Sequence, residues 1–416
     1  MSESSSQIQQ ELNKCVKCGS CMSVCPIYRQ TGREEMVARG KLALIEHLLN
    51  TRESGHRQLS DFYRQAVDYC LLCHSCEDNC SKNVKITTIV KTARQEITLS
   101  TGLHPVKKFL FALLTGKRNQ LRSLMKIGSW LQLLAWRRLP DGSGLKRRLP
   151  LPLIDEQTII PTFPSKNLDD LLGKPKASQS NRQRVLYYPG CTTRYLTPEV
   201  GMDTIMVLEK LGYDVVVPTS WSCCGAVTEA AGDQKSADRL RQQNLQVMRE
   251  VDDDRALVVT GCATCGHTLK EYPLPAGIRV MDISELLYER RDMLEELLQG
   301  RTIKEKITYH DPCHLRKGQG ITMQPRWLIR LIAGDNFVEL RHPERCCGSG
   351  GSFGITHKDL SRKILSEKID DLRNTGAAII TSGCPGCLIQ LNEGIQITSM
   401  NVSTLHPITL LARLLT

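Results

Sequence analysis

The chain has 416 residues, 41% of them hydrophobic and 24% charged, with 55 Lys and Arg against 44 Asp and Glu. That length holds two or three domains, and the composition is that of a globular chain able to bury cores, not of a disordered or fibrous one. No run of 18 apolar residues is present, which excludes a bilayer-spanning helix, and the polar start MSESSSQIQQELNK lacks the apolar stretch of a secretory signal. A cytoplasmic location is therefore expected. In that reducing compartment the 18 cysteines read as metal ligands rather than disulfides.

Cys15, Cys18, Cys21 and Cys25 form a C-x2-C-x2-C-x3-C run followed by Pro26; Cys70, Cys73, Cys76 and Cys80 repeat it, with Ser81 in the place of proline. This is the bacterial run for 4Fe–4S clusters, in which the fourth cysteine ligates the other cluster. One cluster is thus assigned to Cys15, Cys18, Cys21 and Cys80, the second to Cys70, Cys73, Cys76 and Cys25. Zinc sites are the alternative, but they favour C-x2-C pairs set well apart. Between the runs, Met36, Leu42, Leu44, Ile45 and Leu48 recur at helical spacing over residues 34–49, and Glu34 and Glu35 favour a helix start. The arrangement resembles the helical ferredoxin domain of succinate dehydrogenase-type and related redox subunits, which implies an all-α domain over residues 1–100.

Residues 101–150 hold 11 Lys and Arg and the single acid Asp141, so nearly all of the chain's net charge of +11 lies here. Trp130, Trp136, Phe109, Leu110, Phe111, Leu113 and Leu114 are interleaved. Two readings compete: a helical hairpin with a solvated basic face, or a surface for a membrane or partner. No recognition motif supports nucleic acid. Residues 149–183, rich in Pro, Ser, Lys and Asn, read as a linker, so 101–183 is expected to be a basic helical segment and linker.

The last ten cysteines form two sets of five: Cys191, Cys223, Cys224, Cys262 and Cys265, then Cys313, Cys346, Cys347, Cys384 and Cys387. Cys191, Cys262 and Cys265 recur 122 residues later, and the adjacent pair 123 later. That regularity marks an internal duplication, dividing the rest into 184–300 and 301–416. VLYYPG, DVVVPTSW and ALVVTG precede the first set's cysteines; KITYHDP, FVELRHPER and AAIITSG precede the second's. Each reads as a buried strand. Helical segments at 199–211, 234–250, 282–299, 325–333 and 358–373 alternate with them, which predicts two α/β domains with parallel sheets and the cysteines at the carboxyl ends of the strands. The fold class is α+β multidomain. CCGSGGSFG lacks dinucleotide spacing; its glycines are expected to let backbone N–H groups approach sulfur. His267, His310, His314, His342 and His357 lie near these loops and read as satisfied histidines rather than ligands.

The C…CCG…C-x2-C pattern resembles the CCG domain of heterodisulfide reductase and of flavin-linked hydroxyacid dehydrogenase subunits. That resemblance implies a noncubane cluster held by five cysteines, hence one or two further clusters here; a zinc site or an empty one is the alternative for either set. Through CVKCGSCMSVCPIY, RGKLALIEHLL, CLLCHSCEDNC, SCCGAV and CCGSGGSFGITHKDLSRKI, nearly the whole chain resembles the iron–sulfur subunits of glycolate oxidase and D-lactate dehydrogenase. The resemblance implies an electron-transfer subunit with no catalytic residues of its own, an FAD-binding partner that oxidises the 2-hydroxy acid, and a quinone-type acceptor at the inner face of the membrane. The same domain order fits the iron–sulfur subunit of anaerobic glycerol-3-phosphate dehydrogenase, and the CCG sets fit a heterodisulfide reductase-like catalyst. A non-catalytic sensor would need only one cluster.

Overall fold

The computed structural model describes residues 3–52, 59–115, 136–138, 145–147, 159–173, 182–250 and 257–416, with Ser123, Gly128, Ser129 and Gln132. The four longest helices of the N-terminal domain are Glu3–Asn13, Ala38–Arg52, Asp61–Asp68 and Ile86–Thr101. They bury Ile8, Leu12, Leu42, Ile45, Val67, Ile89 and Val90 between them, so the apolar stripe over 34–49 does face the core. The helix starts at Ala38, after a single 3-10 turn at Glu34–Met36.

Residues 105–115 continue as a helix. The basic segment is not helical throughout, as its charge and leucines had suggested. Strands β1 (Trp136–Arg138), β2 (Leu145–Arg147) and β3 (Ile159–Ile160) pair antiparallel. Pro140, Gly142 and Gly144 stand between β1 and β2 in the sequence, and helix interiors reject them. Trp130, residues 116–122, most of the linker before residue 159 and residues 174–181 lie outside the described residues.

Each repeat carries a small parallel sheet. In the first, β4 (Arg184–Tyr187), β5 (Asp214–Val216), β6 (Leu257–Thr260) and β7 (Arg279–Asp282) run in the order β5-β4-β6-β7; in the second, β8 (Ile307–Tyr309), β9 (Ile379–Thr381) and β10 (Ser403–Leu405) run β10-β9-β8. The duplication extends to register. Val185 pairs with Val215 and Leu257, and 122 residues on Ile307 pairs with Phe337 and Ile379. The expected strand over FVELRHPER is reduced to that one bridge at Phe337. Its continuation is diverted because the Asp371 carboxylate accepts the N–H groups of Arg341 and His342, both at 2.9 Å. Strands β7 and β10 were not expected from the sequence, where no cysteine follows either. The helix expected over 282–299 is two, Ile283–Glu289 and Arg291–Leu298, broken at Arg290 (φ −106°).

The two repeats share cores. One cluster joins Leu186, Val258, Leu269 and Val280 to Ile369, Ile380 and Leu391; helix Pro198–Lys210 packs on Pro407–Leu415, and Ile283–Glu289 on Met323–Ala333. The N-terminal domain docks on both. Arg94 donates to the carbonyls of Val67, Asp68 and Cys70 in its own domain and of Ala230 in the first repeat, while Arg29 pairs with Glu367 of the second at 3.0 Å.

Two outcomes follow for stability. Gly232 has φ +83°, and an added Cβ would stand 2.4 Å from the Arg94 carbonyl oxygen at this seam. Gly232→Ala should cost about 2–4 kcal/mol and lower the melting temperature. Burial raises the Asp282 carboxyl from 3.8 to about 6, and its Oδ2 has no hydrogen-bond partner. The native state holds this proton more tightly than the unfolded chain, so the contribution is complete below pH ~4 and lost as pH rises through ~6. Asp282→Asn should therefore be more stable than wild type by about 1–3 kcal/mol near pH 8 and level with it below pH ~4, as read from thermal melts.

Candidate metal centre

The two ferredoxin-type runs share one backbone path. Lys17 and Leu72, two residues after the first cysteine of each run, have φ of 55° and 52°; Gly19 and His74, four residues after it, have 85° and 57°. Such left-handed residues between right-handed ones turn successive N–H groups toward one centre, a concavity suited to an anionic group. For Lys17, Leu72 and His74 the conformation is strained and persists only where surrounding structure imposes it. After Cys25, Pro26 starts the helix Pro26–Thr31; after Cys80 the chain turns without a helix, so Ser81 has no helix to initiate.

Cys15, Cys18, Cys21 and Cys80 line one cavity together with Ala38, Leu42 and Ile86. Cys76 has Cys70, Cys73 and Cys25 beside it, and burial first, then these three, push its thiol well up. The fourth cysteine of each run thus joins the other run's three. Lys41, 2% exposed, donates to the Met36 carbonyl beside Cys70, Cys25 and Cys76; burial lowers its pKa against the pull of those sulfurs. Sequence reading passed over it, although a lone ammonium beside Leu42 on an apolar stripe is a visible signal.

In the first repeat the thiols touch in the order Cys191, Cys223, Cys224, Cys265, Cys262. In the second the order is Cys313, Cys346, Cys347, Cys387, Cys384. Cys262 and Cys384 cap the N-termini of helices Ala263–Lys270 and Pro385–Ile397, where the helix dipole favours a thiolate. The two sets meet: Cys262 contacts Cys384. The second set also meets the N-terminal domain. Cys73 neighbours Cys346 and Cys313; Ser75 Oγ lies 3.3 Å from Cys73 Sγ and accepts from Lys317 Nζ at 2.7 Å. His74, His267 and His314 pack ring to ring at this three-domain junction, with centroids 4.8–5.5 Å apart.

All 18 thiols are free. The contact with Cys346 and then burial raise the Cys313 thiol well above its ordinary value; the contacts with Cys347 and Cys384 and then burial do so at Cys387. Burial, then Cys346, pushes Cys73 to about 12. Hydrogen bonds from neighbouring thiols draw Cys224, Cys346 and Cys384 well down; for all members of a set to be thiolates together a cation must join them, and iron is such a cation. The backbone leaves room for one. A Cβ on Gly190 (φ +71°) would stand 2.9 Å from Cys265 Sγ, and Gly348 N–H donates to Cys346 Sγ at 3.4 Å, the role expected of CCGSGGSFG. The donor sets therefore fit iron–sulfur clusters.

Of the histidines, His357 bonds Asp68 at 2.6 Å, and His314 bonds Thr264 Oγ1 at 3.0 Å and the Leu72 carbonyl at 3.3 Å. His342 engages through its backbone, with N–H to Asp371 and carbonyl to Lys368. His267 Nε2 has no hydrogen bond and lies 3.5 Å from Glu271. His310 departs from the satisfied reading as well: it is 1% exposed and its Nδ1 has no partner. Burial, then Lys368, lowers its pKa to about 3.

The fold and these cysteine sets define an iron–sulfur electron-transfer protein: a two-cluster helical domain followed by a duplicated cysteine-rich α/β unit. Comparison agrees. Residues 11–84 match the 4Fe-4S dicluster domain, and residues 185–270 and 307–392 match the CCG cysteine-rich domain, the same 122-residue offset once more. The chain thus carries one 4Fe-4S dicluster domain and two CCG cysteine-rich domains. It is 29% identical to the probable glycolate oxidase iron-sulfur subunit of Bacillus subtilis over 93% of this chain and 89% of that protein. It is 24% identical to a subunit of the dihydromethanophenazine:CoB–CoM heterodisulfide reductase of Methanosarcina acetivorans, over 97% of this chain and 94% of that protein. Lactate utilization protein A of Oceanobacillus iheyensis is 28% identical over 54% of this chain and 94% of its own length. Among the described residues no helix is long and apolar enough to cross a membrane.

Cys76→Ser should lose about four iron atoms per chain and one cubane signal in low-temperature spectra, while the melting behaviour of the two repeats persists. Unchanged iron content would remove Cys76 from the ligand set.

Proposed function

We propose that the chain is the electron-transfer subunit of a flavin-dependent 2-hydroxyacid dehydrogenase acting on glycolate or D-lactate. An FAD-binding partner subunit oxidises the substrate, and this chain relays electrons to a quinone-type acceptor. Cys15, Cys18, Cys21 and Cys80 hold one 4Fe–4S cluster; Cys25, Cys70, Cys73 and Cys76 hold the second. The two five-cysteine sets hold further clusters. When bound, these clusters store and pass single electrons.

The observation that supports this reading is the unbroken succession of thiol sets. The first ferredoxin set adjoins the second through the exchange of Cys25 and Cys80; the second adjoins the C-terminal repeat at Cys73 and Cys346; that repeat adjoins the first at Cys384 and Cys262. The order in space differs from that in sequence, with the last repeat in the middle. The protein's part is to hold the sets at contact distance, keep water from them and surround them with Lys41, Lys317 and Lys368, whose charges offset those of the thiolates. Cytoplasmic placement at the inner membrane face goes with this role.

A second reading has one observation in its favour. Cys346 lines an open cavity with Lys317, Arg345 and Lys368 and with the acids Asp78, Glu344, Glu367 and Asp371, so a small disulfide has a route to the second set, as a heterodisulfide reductase-like activity would need.

The test is the anaerobic complex from its native host, given glycolate, D-lactate and glycerol 3-phosphate in turn while cluster absorbance is followed. Bleaching by glycolate or D-lactate is expected. Bleaching by glycerol 3-phosphate alone would replace the substrate, and turnover of a disulfide without any flavin subunit would replace the relay with disulfide reduction.

A further inference from the structure

The two repeats agree in their five cysteines and differ at a residue packed against them. Tyr188 follows β4 and His310 follows β8, and the two numbers differ by 122. Their backbones are held alike: Tyr188 N–H donates to the Val259 carbonyl at 2.8 Å, and His310 N–H to the Thr381 carbonyl at 2.9 Å. Val259 and Thr381 are again 122 apart. Both side chains therefore enter the same place in their repeats, against Cys224 and Cys265 in the first and against Cys347 and Cys387 in the second.

What the side chains do there differs. The Tyr188 hydroxyl turns to the Ser222 carbonyl at 2.6 Å and is thereby satisfied. A ring nitrogen of His310 and the sulfurs of Cys347 and Cys387 lie within 4.8 Å of one another, all three residues buried. His310 Nδ1 is a buried polar atom without a hydrogen-bond partner. An orphaned buried nitrogen costs stability unless something fills it, and imidazole beside two thiolates is a donor set that iron accepts, as mixed His–Cys sites show.

We propose that His310 is an iron ligand of the second repeat, giving that set six protein donors where the first has five. The inference rests on the reading of the five-cysteine sets as cluster sites and adds a ligand to one of them. The step is coordination alone: the imidazole lone pair bonds to iron, and no electron or proton is transferred.

Nitrogen coupling in pulsed electron paramagnetic resonance tests this on the full chain with its clusters reduced. A strongly coupled nitrogen is expected in the wild-type protein, and labelling with 15N-histidine should change its pattern. His310→Tyr, which installs the first repeat's residue, should abolish the coupling while the cysteine-held iron remains. Should that variant lose its cluster, His314→Gln and His267→Gln supply the assignment, since both should leave the coupling in place. Absence of a histidine coupling in wild type, its survival in His310→Tyr, or its loss in His314→Gln or His267→Gln would overturn the proposal. Failure of the cluster reading itself is distinct: the purified chain would then carry no iron at either set.

Discussion

Thiolate repulsion is the constraint on which the architecture turns. Nine of the 18 thiols are buried and many touch one another, an arrangement that disfavours ionising all of them together until a cation is present. The surroundings are built around that problem. Helix N-termini meet Cys262 and Cys384, left-handed turns aim N–H groups into both ferredoxin loops, and buried ammonium groups stand at Lys41 and Lys368. None of these supplies enough charge alone. Iron does, and so metal loading and folding of these sites are coupled.

Duplication solves the placement of the C-terminal sets. A parallel sheet presents its loops at one edge, and two such sheets with a common core bring both edges together, so that Cys262 meets Cys384. The symmetry is incomplete where the chain demands it. Ala263 N–H donates to the Gly383 carbonyl across the repeats; the equivalent position in the second repeat is Pro385, which has no N–H to return the bond. His406 bonds the Gly261 carbonyl at 2.8 Å instead, tying the last strand and helix of one repeat to the cysteine loop of the other.

Much of this was legible in the sequence. Cysteine spacing carried the pairing of Cys80 with Cys15 and of Cys25 with Cys70, because that exchange follows from chain geometry within one short motif. The alternation of apolar runs and helices carried the parallel sheets, and the 122-residue offset carried their duplication. The misses have other causes. The FVELRHPER strand failed because Asp371, a residue from another helix, captures its N–H groups. The helical reading of the basic segment put charge and leucine content above Pro140 and Gly142. The approach of Cys73 to Cys346 and the isolation of His310 arise from packing between domains distant in sequence, which no local pattern encodes.

Asn244 and Lys368 make a final contrast. Each extends from the helix that follows its repeat's adjacent cysteine pair. Asn244 donates to the Cys223 carbonyl at 3.0 Å, and Lys368 lies near Cys347 and Cys346. One is neutral, the other cationic. Lys317 adds a second charge on the same side, beside Cys73 and Cys313. Cations lower the energy of a reduced centre more than that of an oxidised one. The two ancestrally equal halves thus set different charge beside their cysteine pairs.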